Sequence, residues 1–65
     1  MSTYQYVVRD TLRRALKFEA DRTAWPVKNN NEGTWFATID EARRFAIWAE
    51  LKPSQFFVDG RRFMW

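Results

Sequence analysis

A chain of 65 residues with neither cysteine nor histidine must hold itself together by apolar burial. Domains this short bury only about 60% of the surface their unfolded chains expose, and many add a disulfide or a metal to compensate. Here no disulfide can form, and the commonest neutral metal ligand is missing. The sequence offers aromatic bulk instead: four Trp, six Phe and two Tyr, 18% of the residues. Each ring can withdraw roughly 150–250 Å² from water, enough for a core with some rings left over for a surface. The expectation is one compact domain over residues 1–65.

Apolar spacing places the elements. Tyr4, Tyr6 and Val8 alternate with Gln5, Val7 and Arg9, which predicts a strand with one apolar and one mixed face. Asp10 to Arg22 reads two ways. As a helix, Asp10 caps it and Leu12, Ala15 and Leu16 share a side. As a strand, Leu16, Phe18 and Ala20 alternate with Lys17, Glu19 and Asp21. The helix is preferred, because no Gly or Asn-Gly marks the hairpin that a second strand needs; a meander from Arg14 is the alternative. Ala24–Val27 and Thr34–Ala37 flank the polar run Lys28–Gly33, which predicts a hairpin whose loop uses Gly33 for positive φ. Pro26 would confine its strand to an edge.

Thr38-Ile39-Asp40-Glu41 has the form of a capping box and predicts a helix from Ile39 to Leu51, ended by Lys52-Pro53. Its sheet-facing side is Ile39, Ala42, Phe45, Ala46 and Ala49, with Trp48 at the edge. After it, Gln55–Val58, the turn Asp59-Gly60 and Arg61–Trp65 read as a second hairpin with Trp65 packed. The fold class expected is α+β: a small antiparallel sheet of about four to five strands, with one or two helices packed on one face.

The chemistry is sparse. Without His or Cys, the usual base and the best nucleophile are absent. Ser2 and Ser54 have terminal and turn positions, and Gly33 and Gly60 are too few for a phosphate loop. Capping accounts for Asp40 and Glu41. The chain therefore reads as no enzyme and as needing no cofactor or metal. Met1–Asp10 lacks the basic start and apolar run of a signal peptide. No stretch is long and apolar enough for a membrane helix, so the expected location is cytoplasmic.

What remains is binding. Arginines recur in pairs, Arg13-Arg14, Arg43-Arg44 and Arg61-Arg62, and each guanidinium is a fork suited to carboxylate or phosphate. The net charge of +3 is compatible with nucleic acid without requiring it. On the second helix, Ile47 and Leu51 lie off the core-facing side, one turn apart and bordered by Arg43 and Arg44, like an apolar anchor with a charged rim. The expected partner surface is thus Arg43, Arg44, Ile47 and Leu51 with Arg61 and Arg62 of the tail. The reading is a non-enzymatic interaction module that binds a protein or nucleoprotein complex. In size and composition alone it is similar to phage and mobile-element accessory proteins that occlude a host machine, anti-CRISPR inhibitors among them. The alternatives are a small basic DNA- or RNA-binding protein and a structural homo-oligomer whose surplus aromatics bury against a second copy.

Overall fold

The computed structural model describes residues 2–64 of the chain, and the side chains of residues 3–62. The elements are β1 (Ser2–Asp10), β2 (Leu16–Phe18), β3 (Ala24–Pro26), β4 (Trp35–Phe36), α1 (Ile39–Trp48) and β5 (Phe56–Met64), with 3-10 turns at Asn30–Glu32 and Pro53–Gln55. The strands form two antiparallel sheets, β4-β1-β5 and β2-β3. Helix α1 covers one face of the larger sheet: Ala42 and Ala46 pack with Val8, Leu16 and Phe36, and Tyr6, Phe18, Leu51, Phe56 and Val58 close the rim. The α+β class, the strand number and the single-face helix agree with the sequence reading. The pairing does not.

The preferred helix between Asp10 and Arg22 is absent. Two hairpins of one design stand there. In the first, the Arg13 amide donates to the Asp10 carbonyl and the Asp10 amide to the Arg14 carbonyl. In the second, Arg22 and Glu19 repeat the pattern with Thr23. Each is a three-residue loop whose third residue is left-handed, Arg13 at φ 65° and Arg22 at φ 70°. Such loops favour Gly at that position, so with Arg there the turn is hidden from composition. Asp10 still works as a cap, but of a turn: its Oδ1 accepts from the Leu12 and Arg14 amides, and its Oδ2 accepts from Arg14 Nε at 2.8 Å. Burial pushes the Asp10 carboxyl up, but the hydrogen bonds and charge of Arg14 outweigh it and hold the group below its ordinary 3.8. A carboxyl depressed in the folded state contributes stability that is fully present above the unfolded value and lost as pH falls through the lower folded one. Asp10→Asn is therefore expected to flatten the acid limb of a stability-against-pH curve; an unchanged limb would count against the turn.

The middle and tail hairpins are also re-paired. β3 pairs with β2, and β4 pairs with β1, so Ala24–Val27 and Thr34–Ala37 are not partners. Gly33 has φ −72°; its use is close approach, because a Cβ there would stand 3.2 Å from Ala15 Cβ and 3.3 Å from Val7 Cγ2. The tail is one unbroken strand. β5 pairs with β1 along its length, from Asp10↔Phe56 to Ser2↔Met64, and Asp59-Gly60 lies mid-strand. A nine-residue central strand leaves its amides unpaired unless an equally long partner runs beside it, and that demand overrides the turn preference of Asp-Gly. Gly60 faces Tyr6 across the pair, and the Tyr6 ring lies over it so closely that a Cβ would meet Cε1 at 2.8 Å. Trp65, expected to pack, lies outside the described residues.

Helix α1 starts as predicted: the Glu41 amide donates to Thr38 Oγ1 at 3.1 Å. It ends three residues early. The Glu50 amide donates to the Ile47 carbonyl, the Leu51 amide donates to the Ala46 carbonyl, and Glu50 has φ 64°. This paired closure, a Schellman motif, needs a left-handed residue and favours Gly. The helix stops at that turn, before Pro53 is reached. Glu50→Gly is expected to stabilise the fold by about 0.5–1 kcal/mol, as left-handed strain is relieved at a small entropic cost. A lowered melting temperature would contradict the motif.

Candidate functional site

The strand alternation of β1 decides which residues face away from α1. Tyr6 and Val8 point to the helix; Gln5, Val7 and Arg9 point to the reverse face. Directly paired residues of an antiparallel sheet share a face. Arg61 beside Gln5, Asp59 beside Val7, Phe57 beside Arg9 and Trp35 beside Val7 therefore lie on the reverse face too. The segment around Asn30–Glu32 covers the β4 side of that face. The β5 side carries Phe57, 43% exposed, and exposed Arg61.

At the centre is the one charged residue buried among those described, Arg9. Its Nε donates to Asp59 Oδ2 at 2.8 Å, and its Nη1 donates to the Arg13 carbonyl and to Asn30 Oδ1, both at 3.1 Å. The Arg9 side chain is 8% exposed and that of Asp59 36%. A buried guanidinium is tolerated only when paired and hydrogen-bonded, and here one residue ties together β1, β5, the first hairpin and the Asn30 turn. Asn30 is used twice, since its carbonyl accepts from Trp35 Nε1 at 2.9 Å. Arg9 is thus a strut that fixes the face.

Two shallow depressions flank Arg61. Arg9, Arg13, Phe57 and Asp59 line one with it; Gln5, Asn30, Asn31 and Trp35 line the other. Asp59 is the sole carboxylate of either lining, and it is engaged by Arg9. The outward chemistry is therefore two guanidinium forks, an exposed phenyl ring, and amides that both donate and accept. Among the described residues no three of His, Cys, Asp and Glu gather as a metal site would require, and no helix is long and apolar enough to cross a membrane.

The residues expected to form one partner surface are dispersed over three. Arg43, Arg44 and Ile47 are exposed on α1, Ile47 at 60%. Leu51 is not their companion: the helix has ended, and the Glu50 turn folds Leu51 half-buried against the core. Arg44 borders a groove with Phe45 and Trp48. Arg61 and Arg62 point to opposite faces of β5, Arg62 beside Tyr4 on the helix side. Of the set, Arg61 alone joins the reverse face. Sequence reasoning missed Arg9, Phe57 and Asp59, and noted Arg13 as one of the paired arginines without placing it on the surface. The available signal was Arg9 itself, a charge closing an apolar strand, but its partner lies fifty residues on.

Known protein families, curated proteins and solved structures offer no match to this chain. The functional reading rests on the face alone.

Proposed function

We propose that this chain is a non-enzymatic binding module that docks an acidic patch of another protein on the reverse face of its larger sheet. The observation that carries the reading is an exposed phenyl ring, Phe57, that shares a depression with Arg13 and Arg61, where the one carboxylate, Asp59, is already engaged by Arg9 through Oδ2. Aromatic and arginine side chains dominate the energetics of protein interfaces, especially where an apolar anchor is ringed by charge. A protein ligand is favoured over nucleic acid because stacking platforms present several successive rings, and Phe57 is the one large apolar side chain more than a third exposed in either depression. Such a docking face would act by occlusion, covering the surface its partner needs for another contact.

Affinity capture tests this with Phe57→Asp and Arg61→Glu beside the parent chain. Both side chains are outside the core, so circular dichroism should be unchanged. Partner affinity should fall by more than about 2 kcal/mol for Phe57→Asp, the loss expected of a hot-spot residue. A partner retained equally by both folded variants would remove the reading. Release of bound nucleic acid that steepens with salt would replace it with the nucleic-acid alternative.

A further inference from the structure

The outer edge of β5 is a long strand edge without a strand partner among the described residues; the inner edge pairs with β1. Natural sheets protect such an edge with a proline, a lysine, a bulge or a very short strand. β5 relies on charge alone: it carries Asp59, Arg61 and Arg62 but no Pro or Lys, it is nine residues long, and its register with β1 runs without a slip.

We propose that this edge pairs antiparallel with the same edge of a second copy, about a two-fold axis through Gly60, joining two three-stranded sheets into one. The register follows from pleat and charge. Opposed residues in a sheet share a face, so the axis must pass through a residue. An axis on Asp59 or on Arg61 would set like charges against each other. An axis on Gly60 sets Asp59 opposite Arg61 of the second copy, twice over, on the reverse face. Asp59 can accept there, because Arg9 engages Oδ2, leaving Oδ1 to a 36%-exposed carboxylate. At the axis itself Gly60 presents no side chain. The charges that would deter pairing with an arbitrary strand thus select this strand as its own partner. Arg61 serves both the pairing and the docking on the reverse face, but mass reports the first and partner capture the second, so each can fail alone.

Light scattering across a concentration series tests the assembly with the whole chain. The expected mass is twice that of one chain. Arg61→Asp sets like charges opposite each other at two places, and should weaken the dimer by about tenfold or more with its circular dichroism retained. Arg61→Lys should preserve the dimer. Should Arg61→Asp fail to fold, Arg61→Gln should weaken the dimer in the same direction. A nitroxide on Arg62→Cys reports register: the labelled positions of the two copies lie four residues apart along the paired strands, roughly 13–15 Å from strand rise and spacing. A single-chain mass at millimolar concentration, a dimer indifferent to Arg61→Asp and Arg61→Gln, or a label separation well outside that range would each overturn the proposal.

Discussion

Asp59→Ala is expected to destabilise the fold by about 2 kcal/mol, less than for breaking a fully buried ion pair, because the Asp59 side chain is 36% exposed. The size comes from what is left behind. Removing Asp59 strands the Arg9 guanidinium, 8% exposed, with two neutral acceptors and no counter-charge. Arg9→Met should cost less, about 1 kcal/mol, since the orphan is then a carboxylate already 36% exposed and apolar volume is largely kept. The order of the two variants is the informative result. Were both salt-bridge partners equivalent, the losses would match; a buried strut predicts that losing the acid is worse. Urea unfolding followed by circular dichroism gives both numbers. Equal losses, or a larger loss for Arg9→Met, would mean that Arg9 matters as packing and not as a charge.

The larger effect is expected at Ala42. Its side chain is fully buried between α1 and the sheet. Ala42→Asp would place a carboxylate where neither water nor a cation reaches, costing several kcal/mol as an ion or as a forced protonation. A domain of this length holds only about 3–10 kcal/mol in total, so Ala42→Asp should be unfolded at neutral pH. Ile47→Asp, on the same helix but 60% exposed, should fold with a shift within about 0.5 kcal/mol, the usual range for surface changes. The pair is read by circular dichroism and thermal melting. A folded Ala42→Asp, or an unfolded Ile47→Asp, would show that α1 presents a different face to the sheet.

Local rules were legible where the chain obeys them with ordinary residues. Thr38 caps α1 because a hydroxyl before an acidic first turn does so wherever it occurs. The alternation from Tyr4 to Arg9 became β1 for the same reason. The failures share one physical cause. Arg13, Arg22 and Glu50 adopt left-handed backbone without being glycine, and each marks a chain reversal that sequence placed elsewhere or left out. The two glycines, read as turn formers, serve close approach instead: Gly33 under Ala15 and Val7, Gly60 under Tyr6. The candidate face was less legible still. Arg61 was singled out for its charge, but the contacts of Arg9 with Asp59 and Asn30 join residues fifty and twenty-one positions apart. No periodicity reports such a pair. Leu51 entered the expected surface only because the helix was drawn one turn too long.

The pairing of β1 with β5 also sets the order in which the fold can assemble. The central strand and its longest partner are far apart in sequence, with Ser2 paired to Met64 and Asp10 to Phe56. The β1–β2–β3 hairpins close over short loops, on the microsecond scale of isolated hairpins. The main sheet must wait for residues 56–64 to return to β1 over some forty-five intervening residues, and that long-range closure is costly in entropy before its hydrogen bonds reward it. The chain should therefore refold slowly for its length, in milliseconds or longer. Throughout that interval β1 would expose an unpaired apolar strand, the state in which such a sequence is most vulnerable to aggregation.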